Sequence, residues 1–267
     1  MYTPNSNLAA AARAVLCAPE PRAKVAYSQS AAAHWRAGKL LPPDPAIVMP
    51  DRPARPKRPQ LMAPRLMPRR RSGGVGGRIA LLHAVAHIEL NAIDLAWDLI
   101  GRFAAQNWPA AFYDDWVGVA DDEARHFTML EARLSELGAG YGDLPAHDGL
   151  WEAAMTTAHD PLARLAVVPM VLEARGLDVT PAMIARLRRA GDDVSAALLK
   201  TILREEIAHV AAGRRWFGHL CRLRGVAENE TWRALVAAHY HGVPKPPFNE
   251  AARCAAGMAP ELYELIT

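Results

Sequence analysis

Cysteine is scarce in this chain: three occur among 267 residues, Cys17, Cys221 and Cys254, far apart and with no Cys-x-x-Cys pair. That argues against a disulfide scaffold and against a thiolate zinc or iron–sulfur site. No run of eighteen apolar residues occurs, so no membrane span is expected. The opening Met1-Tyr2-Thr3-Pro4-Asn5 has no basic segment ahead of a long apolar stretch, which argues against a secretory signal. A net charge of +3 bounds little, because it reflects a slight excess of arginine. Flavin, nicotinamide and haem motifs are missing, so reductive chemistry would need an electron-donor protein as partner. A reducing, cytoplasmic setting is expected. No β-strand alternation is visible either, and the reading is all-α.

What is present divides by composition. Residues 6–38 are alanine-rich, broken by Pro19-Glu20-Pro21, and predict two short helices. Residues 41–72 hold nine of the 21 prolines and eight Lys or Arg residues. That proline density sustains neither a helix nor a central strand. The interleaved Ile47, Val48, Met49, Leu61 and Met62 point to an arm strapped along a surface, which Ser72-Gly73-Gly74 ends.

Helical periodicity then takes over. A first long helix is expected over 79–106, with Leu82, Val85, Glu89, Ile93, Ala96 and Ile100 on one stripe, and Pro109 marks the turn. The second runs over about 110–137, with Trp116, Val119, Glu123, His126 and Leu130 on one face. Gly138 to Pro161 read as a long connection. The third helix is expected over about 161–176, kinked at Pro169, and a separate short helix opens at Thr180-Pro181. The fourth covers about 192–223 and brings Ile202, Glu206, His209 and Gly213 onto its inner stripe. Further helices are expected over 227–241 and 249–265.

Two of these helices carry Glu-x-x-His, Glu123-Ala124-Arg125-His126 and Glu206-Ile207-Ala208-His209, and the other two carry the lone Glu89 and Glu173. Positions i and i+3 lie one turn apart on the same face, so both side chains of each motif reach one cavity. The spacing repeats: Glu89 precedes Glu123 by 34 residues and Glu173 precedes Glu206 by 33. Two similar hairpins would place six ligands around one dinuclear site. Oxygen-rich ligation with one imidazole per metal suits two iron or manganese ions better than structural zinc. Two divalent cations would also compensate four buried carboxylates. Asp122 and Glu205 precede the two motifs and are candidates to orient the ligand histidines, with Arg125 and Arg204 neutralising that outer layer.

Other features have plainer readings. His83 and His87 stand at i, i+4, a spacing that could bind zinc, but they lie well round the helix from Glu89 and read as structural histidines or as supports behind the ligands. The basic run from Arg52 to Arg71 has a nucleic-acid reading, yet its prolines and methionines favour intramolecular strapping.

Several runs resemble one family. They are Arg52-Pro53-Ala54-Arg55-Pro56, Gly77-Arg78-Ile79-Ala80-Leu81-Leu82-His83-Ala84-Val85-Ala86-His87-Ile88-Glu89-Leu90 and Asp122-Glu123-Ala124-Arg125-His126, followed by Leu172-Glu173-Ala174-Arg175-Gly176-Leu177-Asp178 and Glu205-Glu206-Ile207-Ala208-His209. Over roughly residues 40–255 the chain resembles the DUF455 family, and more broadly the ferritin-like superfamily. The resemblance implies a ferritin-like four-helix bundle over 79–225, with an N-terminal helical extension (1–40), a Pro/Arg-rich arm (41–78) and a C-terminal helical extension (226–267). It implies a non-haem dinuclear Fe/Fe or Mn/Fe protein, with an O2-activating oxidase or hydroxylase as the leading expectation. A ferroxidase or other metal-handling protein is the alternative, as is a tRNA-modifying hydroxylase that docks RNA on the arm. The family supplies no substrate.

Overall fold

The computed structural model describes residues 6–68, 74–240, 242 and 244–264. Residues 1–5, the Arg69 to Arg71 part of the basic run, the Ser72-Gly73 end of the arm and position 265 lie outside the described residues. The described residues contain no strand, only helices, turns and two isolated bridges. The chain falls into two compact units, Met1–Trp151 and Glu152–Thr267.

In the first unit, α1 (Leu8–Leu16) begins where the Asn7 side chain accepts from the Ala10 amide at 2.9 Å. Ala9, Ala11 and Ala12 are fully buried, so helix backbones approach closely on that face. Next, α2 (Pro21–Arg36) opens with proline in the first turn, where a missing N–H costs nothing. After the arm come α3 (Gly74–Arg102) and α4 (Ala110–Glu136), which pack along each other. A tight connection joins them, with Asn107 in the left-handed region. By length and composition α3 could cross a membrane, but 78% of its most apolar window is buried inside the protein, which makes it the core helix of this unit. Cross-links pin the N-terminal pair to it: Trp97 Nε1 donates to Ser28 Oγ (2.8 Å), and Ser28 Oγ donates to the Ala120 carbonyl (3.0 Å).

The Pro-rich arm has few ladder partners of its own and finds them elsewhere. The Ala54 amide donates to the Leu16 carbonyl at 2.7 Å, and Arg102 donates to the Pro50 carbonyl at 2.7 Å. The Met49 side chain packs against Gly101, where any Cβ would strike its thioether. Two arm cations are engaged internally. Arg52 pairs with Asp148 at 2.5 Å and Arg55 with Asp94 at 2.8 Å.

The connection expected after α4 contains a short helix, α5 (Gly149–Thr156), at the boundary between the units.

In the second unit the expected pair of helices, one ending near 176 and one opening at Thr180-Pro181, is corrected. Here α6 (Pro161–Val167) runs through a π-helical turn (Val168–Glu173) into α7 (Ala174–Arg189). Proline inside a helix loses one N–H and crowds the carbonyl four residues back. At Pro169 the wider π turn relieves the crowding instead of a sharp kink. At Pro181 the helix continues because the carbonyl that lost its donor, that of Leu177, accepts from Asn249 Nδ2 at 3.1 Å. Then α8 (Asp193–Arg224) starts on an Asp192 side-chain cap and stops at Gly225 in the left-handed region. It is followed by α9 (Glu228–His239), α10 (Glu250–Ala255) and α11 (Pro260–Tyr263).

Gly213 of α8 faces the π turn at close range. A Cβ there would lie 2.5 Å from Pro169 Cγ and nearer still to its Cβ. Gly213→Ala therefore forces either α8 or the π turn to move, and should cost about 1–3 kcal/mol in a urea unfolding experiment. An unchanged midpoint would show that Pro169 yields without cost.

Candidate metal centre

The core stripe of α4 runs Phe112, Trp116, Val119, Glu123, His126 and Leu130 at three- and four-residue steps. Two positions where apolar side chains would pack are therefore occupied by a carboxylate and an imidazole. The same holds on α3, where Glu89 sits among Leu82, Ala86, Ile93 and Ile100. Exposure of Glu89, Glu123 and His126 is 4%, 1% and 0%. Each offers one ligand atom, and these atoms lie within 4.8 Å of one another. His126 Nδ1 is 3.2 Å from Glu89 Oε2 and 3.6 Å from Glu123 Oε2. These residues form a buried Glu/His group that could hold a metal ion.

The electrostatics agree with that chemistry. Burial works against a charged imidazole, but the carboxylates of Glu123 and Glu89 outweigh it and push His126 up to about 11. Without a metal, a proton on His126 offsets part of the negative charge; a bound cation would take over that role.

In the second unit, Glu206 and His209 repeat the motif on α8, with His209 Nδ1 3.5 Å from Glu206 Oε1. His209 is buried and the Glu206 side chain is 13% exposed. Glu173 lies at the end of the π turn and is half-buried. Among the described residues of this unit, Glu173, Glu206 and His209 do not by themselves form a three-ligand group as tight as the one on α3 and α4. The outer residues pair along their own helices: Arg125 donates to Asp122 at 2.7 Å, and Arg204 to Glu205 at 3.0 Å.

His83 and His87 bind the 141–147 segment. His83 Nε2 accepts from the Gly142 amide at 2.9 Å, and its ring stacks on Tyr141. His87 Nδ1 meets the Tyr141 hydroxyl at 2.8 Å; burial holds His87 at about 4, so the ring is neutral at ordinary pH.

Sequence reading missed a buried charge cluster beside this site. Lys24, with no exposed surface, donates to Asp94 Oδ1 at 2.5 Å and to the Val15 carbonyl at 2.9 Å. Arg55 donates to Asp94 Oδ2 at 2.8 Å and to Asn91 Oδ1 at 2.5 Å. Burial raises the Asp94 carboxyl, and the Lys24 and Arg55 charges oppose that rise. An available signal was Asp94 itself, an acid inside a long apolar helix five residues after Glu89.

Comparison with known proteins places these residues in a family. No solved structure matches the chain. A protein of Haemophilus influenzae (strain ATCC 51907 / DSM 11121 / KW20 / Rd), described as "Uncharacterized protein", is 41% identical over 207 residues, covering 76% of this chain and 72% of the relative. The family described as "Protein of unknown function (DUF455)" matches residues 17–264, a span that includes all six glutamate and histidine positions singled out above. The chain belongs to the DUF455 family.

Proposed function

We propose that the chain is a non-haem dinuclear metal protein of ferritin-like type, holding two iron or manganese ions and acting as an O2-activating oxidase or hydroxylase. The observation that carries this reading is the buried Glu89–Glu123–His126 group, three metal-ligating side chains in core positions of α3 and α4. The repeated motif supports it: each unit supplies a lone glutamate and a Glu-x-x-His with nearly equal internal spacing, 3.6 Å and 3.5 Å. In this reading Glu173, Glu206 and His209 supply the second set of ligands.

The residues fit such ions. Carboxylate oxygens with one imidazole per metal leave coordination positions open, the arrangement hard or borderline divalent cations accept. Bound metals would supply the reduction of O2. Glu89, Glu123 and His126 would hold one ion, and Glu173, Glu206 and His209 would offer the same donor types to the other. The apolar wall of α3 and α4, with Leu90, Ile93, Phe127 and Leu130 buried, keeps bulk water from that end of the site.

The test is plasma mass spectrometry on protein purified without an affinity tag. About two iron or manganese per chain are expected. Little or no metal, even after anaerobic loading with Fe(II), would overturn the proposal.

A further inference from the structure

The second unit contains a cavity of about 220 Å³ that the metal reading does not use. One wall is helical: Val171 of the π turn and Arg175 and Asp178 of α7. The facing wall comes from the segment after α9, with Tyr240, Pro244 and Lys245, and Arg253 of α10 closes the base. The charges are unequal. Three cations line the cavity against one carboxylate, and that carboxylate is committed. Arg253 donates to both oxygens of Asp178, at 2.8 and 2.7 Å, and the Asn249 amide donates to it at 3.0 Å. Arg253 is also held between two rings, 5.0 Å from the centroid of Phe248 and 4.5 Å from that of Tyr263. The Asp178–Arg253 pair is thus a neutral, rigid floor.

Arg175 and Lys245 carry the cavity's excess of positive charge, although Arg175 Nη1 also lies 3.6 Å from Asp178 Oδ2. Among the described residues, the hydrogen bonds of Arg175 all leave from Nη1, to the Lys245 carbonyl at 2.5 Å and the Pro247 carbonyl at 3.4 Å. Those bonds fix the guanidinium plane and leave the Nε and Nη2 edge for another acceptor. Two parallel N–H groups along one edge match the two oxygens of a carboxylate. Lys245 is exposed at the mouth and adds a second positive charge. The rest of the wall is apolar or aromatic: Val171, Pro244 and the Tyr240 ring. Tyr240 folds close over its own loop because position 242 is glycine, where a Cβ would lie 2.9 Å from the ring.

We infer that this cavity is a binding site for a small organic carboxylate, with the Arg175 guanidinium edge and the Lys245 ammonium holding the acid group and the Val171–Pro244–Tyr240 wall taking an apolar body. Small oxyanions share the charge requirement but do not need the apolar wall. The inference stands on the second unit alone and does not depend on bound metal.

The experiment is calorimetric titration of the full chain with acetate, succinate and benzoate, and with inorganic phosphate, at low ionic strength. The expected result is that benzoate or succinate binds more tightly than acetate and phosphate. Arg175→Gln should weaken it at least about tenfold, the loss of a charge-assisted bidentate contact. Because Arg175 also ties down a loop, Lys245→Gln is the second variant; Lys245 is exposed, and a loss of several-fold is expected. No carboxylate binding, or binding unchanged in both variants, overturns the inference. Phosphate binding that depends on both residues and exceeds that of every carboxylate overturns the carboxylate assignment.

Discussion

Glu123→Ala will abolish metal uptake, and O2 consumption with it. Glu123 is 1% exposed, and His126 lies 3.6 Å from it and 3.2 Å from the α3 carboxylate of Glu89, so its loss takes one of the two carboxylates that face this imidazole. Removing one orienting partner of a metal ligand already costs about 10–100-fold in affinity. Removing a ligand should cost more than about 100-fold, leaving the purified variant with well under half the wild-type metal. The isosteric Glu123→Gln separates a ligand from a packing residue. It keeps the side-chain volume, so helix content by circular dichroism should match that of the metal-free wild type while metal is still lost. A variant that keeps two metals per chain and turns over normally would end the dinuclear proposal.

Asp94→Ala should be the most damaging substitution for stability in the first unit. The change leaves the Lys24 ammonium buried with only the Val15 carbonyl and takes one partner from Arg55. Breaking a buried pair from one side costs about 3–5 kcal/mol, because an uncompensated charge stays in a low-dielectric interior. Chemical denaturation followed by tryptophan fluorescence reads this directly, since Trp97 is buried in the same helix. Lys24→Met combined with Asp94→Leu should recover most of the loss, because well-packed apolar groups commonly replace buried ion pairs at little cost. Arg55 tolerates that double change, for it also contacts Asn91 and Asp148. A loss below about 1 kcal/mol for Asp94→Ala would show that water reaches Lys24.

Where the sequence could be read, the determinants were local. Pro109 and the Pro19-Glu20-Pro21 break each mark an end that the chain enforces within a few residues. The Glu-x-x-His motifs were visible for the same reason: polar groups on an apolar stripe stand out at a spacing of three. The misread parts depend on distant partners. Pro181 looked like a helix start, but its continuation rests on Asn249, 72 residues beyond Leu177. Lys24 drew no reading from its own neighbourhood, because its partner Asp94 is 70 residues away. The short helix Gly149–Thr156 is only 8 residues long, too short for its periodicity to stand out.

The Asn249 contacts make chain completion part of the fold of the helix that follows Glu173. Asn249 donates to the Leu177 carbonyl and to Asp178, and Arg253 donates to both oxygens of Asp178, one turn beyond Glu173. A nascent or clipped chain lacking residues 249–253 would have every proposed ligand but would strand a carbonyl and a carboxylate on the helix that follows Glu173. Such a product would present a frayed α7 to proteolysis. The last helices thus work as a built-in completeness check on the chain, while contributing no ligand of their own.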